Sequence, residues 1–259
     1  MTTIDCLPAG EGYAAVHRNG AGPAGRCLLV PPFGVPASAL ELLAAALDAE
    51  GCESLRLDPR NHVGAGTGEI TDFRLSDFAD DCRRAVERYR PHVVVAISMG
   101  ARATMRALAS TPFAPRAVLL IPVVDVRATL GAILGRDWFA VDEPELPERM
   151  PVLGSQVDAV AFRRDCVEHR MVSAEATRRD LAAIGNRATL LPGDDDPWVA
   201  LQSVEQVVDS LDPSQRPIVR PVACDRHDLH LDAELALRLM GVVLDEVRDV
   251  LAESGPVER

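Results

Sequence analysis

Three side chains that can do covalent chemistry each follow an apolar run of the chain. The runs and residues are 93–97 with Ser98, 188–191 with Asp196, and 218–222 with His227. A serine hydroxyl becomes an effective nucleophile when a nearby histidine takes its proton, and a carboxylate can orient that histidine. These residue types therefore predict attack on an acyl carbonyl, provided that the fold brings the three side chains together.

The segment around Ser98 has the pattern of a sharp turn between a strand and a helix. A β-branched run leads into Ala96-Ile97-Ser98-Met99-Gly100, and helix-forming residues follow. This is a G-x-S-x-G elbow with alanine at the first small position, a turn that exposes the serine above the edge of a sheet. The chain order of serine, acid and histidine is that of the α/β-hydrolases, whereas chymotrypsin and subtilisin use other orders. The order therefore favours an α/β-hydrolase triad.

Asp125 and His230 are alternatives for the acid and the base. Asp125 follows the strand that comes after the elbow, a second position at which this fold can carry its acid. His230 lies three residues after His227, at the start of the closing helix. We expect Asp196 and His227 to be the partners of Ser98, because both lie in loops beyond the carboxyl ends of predicted strands.

Two backbone amides are predicted to bind the negative charge that develops on the carbonyl oxygen. Met99 supplies one, because it is the residue after the nucleophile. The other is expected from the loop that follows residues 27–30. The two prolines that open this loop have no amide hydrogen, so Phe33 is the first candidate and Gly34 the second.

Strand-like and helix-like segments alternate through most of the chain. Residues 1–26 are expected to form a leading hairpin or irregular strand pair. Apolar runs predict strands over 27–30, 54–57, 93–97, 117–124, 188–191 and 218–222. Helical spacing predicts helices over 37–49, 75–89, 101–109, 201–211 and 231–251. The alternation predicts an α/β fold, namely a mostly parallel, doubly wound sheet with helices on both faces.

The alternation lapses between residues 127 and 186, where a proline-punctuated segment and several helix-like pieces occur. We interpret residues 127–186 as a helical cap inserted into a hydrolase core of residues 1–126 and 187–259. Large apolar residues of the cap are candidates for contact with an acyl chain or for simple core packing. They are Trp138, Phe139, Met150, Leu153 and Phe162.

The composition limits the classes of partner. The chain has 259 residues, a formal net charge of −12 and no lysine, so all 27 basic residues are arginine. The negative charge disfavours a general nucleic-acid surface. The N-terminus lacks the pattern of a signal peptide, no apolar run approaches membrane-spanning length, and the scattered cysteines fit reduced thiols. We expect a cytoplasmic protein without a membrane span, and the oligomeric state stays open.

Other polar motifs have interpretations outside the triad. His62 is expected to tether a loop near the site. The glycines of residues 64–68 are not followed by G-K-[ST], so we expect a turn there and not a phosphate loop. Asp194 and Asp195 are expected to be solvated neighbours of Asp196 and not cation ligands. The sequence thus predicts neither a metal site nor a cofactor.

Five arginines of the predicted cap leave two interpretations open. They either form a solvated helical face or contact a phosphopantetheine phosphate or an acidic carrier protein. These residues are Arg163, Arg164, Arg170, Arg178 and Arg179.

Several short segments between about residue 30 and residue 240 carry a family resemblance. They are Leu57-Asp58-x-x-x-His62-Val63-Gly64, Val123-Val124-Asp125-Val126-Arg127-x-Thr129-Leu130, Leu134-Gly135-Arg136-Asp137, Leu153-Gly154, Phe162-x-Arg164-Asp165-Cys166, Asp196-Pro197-Trp198-Val199 and His227-Asp228-Leu229. In these segments the chain resembles the bioluminescence acyl-transferase family, the lux-operon thioesterases of the α/β-hydrolase fold. Those enzymes release myristoyl groups from acyl carrier protein. The resemblance implies a triad of Ser98, His227 and Asp196 that acts on a thioester-linked acyl chain.

The leading hypothesis is therefore a serine acyl-thioester hydrolase or acyltransferase for a fatty or polyketide acyl chain, with acyl carrier protein as a candidate carrier. The chain length, the carrier and the acceptor, water or an alcohol, stay open. The alternatives are a polyketide lyase or cyclase, or a carboxylic-ester hydrolase, on the same fold. A ligand-binding receptor is disfavoured, since a receptor has no need of the nucleophile.

Overall fold

An eight-stranded sheet runs through the protein and is parallel over most of its width. The computed structural model describes residues 2–20, 22–113, 115–229 and 232–254. The strands of this sheet are β1 (Thr3–Ala9), β2 (Gly12–Asn19), β3 (Gly25–Val30), β4 (Cys52–Asp58), β5 (Val93–Ile97), β6 (Arg116–Leu120), β9 (Ala188–Leu191) and β10 (Ile218–Val219). Their order is β1-β2-β4-β3-β5-β6-β9-β10. The hairpin of β1 and β2 joins β4 antiparallel, and all pairings beyond β4 are parallel.

Helices cover both faces of the sheet. The α-helices are α1 (Glu41–Ala49), α2 (Leu75–Tyr89), α3 (Met99–Ala109), α4 (Val126–Leu134), α5 (Ala159–Glu168), α6 (Ala174–Ile184), α7 (Leu201–Asp209) and α8 (Ala233–Ser254). Helices α1 and α8 pack on one face, whereas α2, α3, α6 and α7 pack on the other. The mostly parallel, doubly wound α/β architecture predicted from the sequence is confirmed.

Strand β5 shows how the sheet supports two separate cores. Successive side chains of a strand point to opposite faces. Accordingly, Val94 and Ala96 lie in the apolar cluster under α2 and α3, while Val93 and Val95 lie in the cluster under α1 and α8. Every residue of β5 is buried. A run of small and β-branched residues without alternation is therefore what this central strand requires.

Two predicted strands are shorter than expected. The strand predicted over 117–124 ends at Leu120, because Ile121 has a φ of +40° and turns the chain out of the sheet. The residues beyond it are buried in a loop, which apolar composition does not distinguish from a strand. The strand predicted over 218–222 is regular only over Ile218–Val219, with an isolated pairing of Val222 and Gly193 further on.

The chain between β6 and β9 contains α4, the separate hairpin of β7 (Arg149–Val152) and β8 (Ser155–Asp158), α5 and α6. Helix α6 packs against α3, and the buried Arg102 of α3 forms an ion pair with Asp180 of α6 at 2.7 Å. The cap boundaries at residues 127 and 186 stay a prediction. Within the described ranges, no helix is long and apolar enough to cross a membrane.

Candidate active site

Ser98 occupies a strained turn between β5 and α3. Its backbone has a φ of 54° and a ψ of −120°, which is a rare conformation for a residue with a side chain. A hydrogen bond from the Ser98 amide to the Leu120 carbonyl, 3.0 Å long, helps to hold the turn, and the Val123 amide donates to the Ser98 carbonyl at 3.3 Å. This is the geometry by which a nucleophile elbow exposes its hydroxyl.

Gly100 lets the elbow approach the loop that follows β3. A Cβ atom at this position would lie 2.2 Å from the carbonyl oxygen of Pro31. Real Cβ atoms do not come so close to a backbone oxygen, so any other residue would push the loop and the helix apart. The second glycine of the pattern is therefore explained by the packing of α3 on this loop.

The structure brings Ser98, His227 and Asp196 into one hydrogen-bonded chain. The Oγ atom of Ser98 lies 2.6 Å from Nε2 of His227, and Nδ1 of His227 lies 2.6 Å from Oδ2 of Asp196. A carboxylate can only accept a hydrogen bond, so Nδ1 carries the proton of the neutral ring and Nε2 is free to accept the serine proton. All three residues are buried, with 6–7% of their surface exposed.

The surroundings of His227 and Asp196 fix both side chains. The Oδ1 atom of Asp196 accepts hydrogen bonds from the amides of Trp198 at 2.9 Å and Val199 at 3.2 Å. The indole of Trp198 packs on the imidazole, with ring centroids 4.9 Å apart and planes inclined by 34°. The contact of Trp198 with His227 depends on two loops meeting and has no sequence signal.

The two predicted oxyanion donors lie on either side of the elbow. Met99 is the first residue of α3, and an amide at that position has no acceptor within its own helix. In the described parts of the chain, no acceptor binds the amide of Phe33. The second candidate, Gly34, differs, because its amide donates to Nε2 of His62 at 2.9 Å. Of Phe33 and Gly34, only Phe33 therefore has an amide without an acceptor among the described residues.

His62 ties this loop to the loop that follows β4. Because Nε2 accepts the hydrogen bond of Gly34, Nδ1 carries the ring proton and donates to the Val63 carbonyl at 3.2 Å. Burial lowers the pKa of His62 to about 4, so the ring is neutral at physiological pH. The expectation of a loop-tethering histidine agrees with these bonds.

Asp58 is a second tether, which the sequence interpretation missed. One carboxylate oxygen accepts the Ala37 amide at 2.6 Å, and the other accepts the Ala65 amide at 3.0 Å and faces His17 at 2.9 Å. A Cβ atom at Gly64 would lie 2.2 Å from this carboxylate. The motif that joins Asp58, His62 and Gly64 thus builds the support of the loop that holds Phe33. An acidic residue at the end of a buried strand was the available signal.

The predicted acyl-chain contacts occupy different environments. Met150 and Phe162 are buried in the same apolar cluster as Phe33. Phe73 connects Phe162 with Phe33, because its ring stacks on Phe162 and meets Phe33 edge-on, with ring centroids 6.0 Å and 4.9 Å apart. Leu153 is 39% exposed in the turn between β7 and β8. The role of each in binding an acyl chain stays a prediction.

The two aromatic residues that follow α4 are half-buried. Trp138 lies under the Arg136 guanidinium at 4.8 Å, and its buried indole nitrogen has no hydrogen-bond partner among the described residues. Phe139 lines a surface cavity together with four arginines. Neither contacts the triad through a ring interaction in the described parts of the chain.

Asp125, the alternative acid, makes its hydrogen bonds to other groups. Asp125 caps α4 by accepting the Ala128 amide at 2.9 Å, and it accepts the Ala174 amide at the start of α6 at 3.1 Å. His230 lies outside the described residues. Asp194 accepts the amide of Cys224 at 2.8 Å. Among the described residues, no three His, Cys, Asp or Glu side chains are grouped so as to hold a metal ion.

Solved structures with similar backbones define the fold class. Est1E from Butyrivibrio proteoclasticus, with bound ferulic acid, superposes with a TM-score of 0.75 at 15% identity, and the match covers 96% of this chain and 99% of Est1E. A monoacylglycerol lipase of Paleococcus ferrophilus has a TM-score of 0.68 at 15% identity, covering 93% and 99%. A thioesterase domain from the curacin biosynthetic pathway has a TM-score of 0.63 at 16% identity, covering 94% and 99%. The protein has the α/β-hydrolase fold.

The sequence identifies the family within that fold. A sequence profile described as acyl transferase matches residues 35–239, so the chain belongs to the lux-type acyl transferase family. An acyl transferase of Shewanella hanedai is 26% identical over 174 residues, which are 65% of this chain and 56% of the relative. An acyl transferase of Aliivibrio fischeri is 25% identical over 192 residues, 72% and 62% of the two chains. The match thus spans about three-fifths of these relatives.

Proposed function

We propose that this protein is a serine acyltransferase or hydrolase that acts on acyl thioesters through an acyl-enzyme at Ser98. The observation that carries the proposal is the continuous chain of 2.6 Å contacts from the Ser98 hydroxyl through His227 to Asp196. Membership of an acyl transferase family supports the reaction class. A thioesterase domain among the similar structures is consistent with thioester substrates but speaks only to the fold.

In the first half of the reaction, Ser98 Oγ attacks the thioester carbonyl carbon while His227 Nε2 takes the hydroxyl proton. The charge that the imidazolium gains is stabilised by Asp196, whose orientation is already fixed by two amides. The amides of Met99 and Phe33 bind the carbonyl oxygen as it becomes negative, and the start of α3 adds the positive end of a helix dipole. The C–S bond then breaks, and the leaving thiolate takes the proton from His227.

In the second half, water or an alcohol attacks the ester of Ser98 and gives its proton to His227. The oxygen of Ser98 takes this proton back as the acyl group leaves as a free acid or an ester. The buried position of the triad limits the access of water to the ester. The identity of the acceptor therefore depends on which molecule enters beside the acyl chain.

The acyl chain is proposed to extend from Ser98 toward Phe162 and Met150. These two residues share the apolar cluster of Phe33 and the aromatic contacts that pass through Phe73. The segment 127–186 would then act as the cap. In this proposal the part of the segment before α6 covers the acyl chain, and α6 packs against α3. An apolar acyl chain suits these aromatic and aliphatic side chains, because burying it removes apolar surface from water.

The Ser98→Ala variant tests the proposal. We expect it to lose release of free acid from acyl-CoA and acyl-pantetheine thioesters, while its thermal unfolding stays close to that of the parent protein. The parent should form a covalent adduct whose mass increases by the acyl group, and the variant should not. Turnover by Ser98→Ala at the parental rate would show that Ser98 is not the nucleophile.

A fluorophosphonate probe separates this mechanism from lyase or cyclase chemistry on the same fold. Rapid labelling at Ser98, blocked by prior acylation, supports an acyl-enzyme. Absence of labelling, combined with product formation from a polyketide thioester, would instead support a reaction that uses His227 without a covalent intermediate.

A further inference from the structure

A surface cavity between α4, α5 and α6 is lined by positively charged side chains, although the net charge of the protein is −12. It has a volume of about 350 Å³ and lies within the segment between β6 and β9. Four arginines line it, and no carboxylate does. They are Arg127, Arg163, Arg170 and Arg179.

The arginines of this segment fall into two groups. Arg164 pairs with Glu143, and Arg178 pairs with Glu175 at 2.8 Å, so both are neutralised outside the cavity. In contrast, three of the four cavity arginines form no ion pair with a carboxylate of the described residues. These three are Arg163, Arg170 and Arg179.

The other cavity contacts show where free donors remain. Arg127 pairs with Asp137 at 2.5 Å on the rim, and Arg163 donates to the Val141 carbonyl. Arg170 and Arg179 are exposed, so their guanidinium groups are available to a ligand. Guanidinium groups bind phosphate with two parallel hydrogen bonds, which makes arginine the preferred partner of that anion.

The remaining walls of the cavity are apolar. Phe139, Val167 and Val172 line it, and Val167 is 56% exposed, so its apolar surface is accessible to a ligand. Ser173, at the start of α6, also lines the cavity, so a weak positive dipole points toward it. A ligand with a phosphate and an aliphatic portion matches both kinds of wall.

The cavity is close to the elbow along the chain. The Val123 amide donates to the Ser98 carbonyl, and Arg127 is four residues further on. Four residues span at most roughly 14 Å when extended, so this edge of the cavity cannot lie far from the nucleophile.

We infer that the arginine cavity binds the phosphate of a phosphopantetheine thioester, with the aliphatic part of the arm over Phe139, Val167 and Val172. The role of the cavity in substrate binding rests on the proposed function, whereas binding of a phosphate there does not require catalysis. The phosphate has two sources, coenzyme A and a carrier protein. Both present the same group next to the pantetheine arm.

The kinetic test compares Arg170→Gln/Arg179→Gln with the matched control Arg164→Gln/Arg178→Gln. Both pairs remove two positive charges, one from α6 and one from the preceding segment, but only the first pair lines the cavity. We expect the cavity variant to raise KM for acyl-CoA about tenfold while kcat, and KM for acyl-pantetheine without phosphate, stay unchanged. The control should match the parent. Equal effects on the two substrates, or an equal effect of the control, would overturn the inference.

A binding measurement keeps this test separate from the mechanism. Calorimetry with 4′-phosphopantetheine on Ser98→Ala should show binding that the added cavity substitutions abolish and inorganic phosphate competes away. Failure of the acyl-enzyme proposal would leave that result intact, whereas unchanged binding in the cavity variant would refute the site alone.

Acyl-CoA and acyl carrier protein with the same acyl chain then distinguish the sources. A KM increase with both substrates assigns the shared phosphopantetheine phosphate, and an increase with acyl-CoA alone assigns the phosphates of the coenzyme. An increase with the carrier protein alone, without phosphopantetheine binding, would replace a phosphate site by a contact with an acidic protein surface.

Discussion

Nδ1 of His227 lies 2.6 Å from Oδ2 of Asp196, and the second oxygen of this carboxylate is occupied by two backbone amides. The carboxylate therefore has one free oxygen, and that oxygen faces the imidazole. This relationship sets the tautomer of His227 before any substrate arrives. A side chain of the same shape as Asp196 could therefore keep the hydrogen bonds to the two amides without holding His227 in this tautomer.

Asp196→Asn should preserve the fold and lose most of the activity. The asparagine oxygen can still accept the two amides, but its NH2 group then faces Nδ1 and favours the tautomer that cannot accept the serine proton. By analogy with the same substitution in a serine protease, we expect kcat to fall by roughly 10⁴-fold. Steady-state thioester hydrolysis and circular dichroism check this prediction, and a loss smaller than about tenfold would argue against Asp196 as the orienting acid.

Trp198→Leu should lower kcat with little change in KM. The indole faces the imidazole of His227, with the ring centroids 4.9 Å apart. In the proposed mechanism, the imidazole gains positive charge as Ser98 attacks. An aromatic face stabilises a desolvated cation by about 1–2 kcal/mol, which corresponds to roughly a tenfold change in kcat. Trp198→Phe keeps an aromatic face and should retain most of the rate. If both variants lose activity equally, packing of the loop and not the ring face is responsible.

His62→Gln should change how stability depends on pH. In the folded protein burial lowers the pKa of His62 to about 4, whereas an unfolded histidine has an ordinary pKa near 6.5. As the pH falls from 6.5 toward 4, the unfolded state takes up a proton that the folded state does not. The titration of His62 therefore lowers the free energy of unfolding of the parent protein by about 3 kcal/mol in total as the pH falls through this window.

Urea unfolding of the parent and His62→Gln between pH 7 and pH 4 measures this difference. The gap between the two stabilities should narrow as the pH falls. Asp81, whose pKa burial raises to about 6, acts in the opposite direction in the same window but contributes equally to both proteins. Curves that stay parallel would show that His62 does not titrate as its burial requires. The variant should also lower kcat, because Gly34 and the Phe33 loop lose their tether.

Gly100→Ala should damage the site through the backbone. The added methyl group would meet the Pro31 carbonyl at 2.2 Å, so α3 and the loop carrying Phe33 must separate. We expect lower stability and a loss of kcat that exceeds any change in KM, because the loop carries the proposed oxyanion donor, the Phe33 amide. Gly241→Ala in α8 is the control, since among the described residues only the backbone of its own helix lies within 4 Å of the new methyl group, and alanine favours a helix by about 1 kcal/mol. A parental kcat in Gly100→Ala would contradict the role of this loop.

The regular elements were predictable where local pattern and tertiary role agree. The bounds of β5, α2 and β9 coincide with the predicted ones, because apolar runs and helical spacing there match complete burial or an amphipathic face. The end of β6 was not predictable, since residues 121–124 are as apolar as the strand but are buried in a loop. Apolar composition reports burial and does not report backbone conformation.

The sequence by itself determined the candidate reactive side chains, their order along the chain and the turn predicted to carry Ser98. Only the tertiary structure decided which groups meet, because Ser98 and His227 are 129 positions apart and the sheet order brings their loops to one edge. It also decided the contacts of Trp198 and, among the described residues, left the amide of Phe33 without an acceptor. It placed Arg163, Arg170 and Arg179 in one cavity, whereas Arg164 and Arg178 pair with glutamates outside it. Such contacts join loops that are distant in sequence, so no local pattern encodes them.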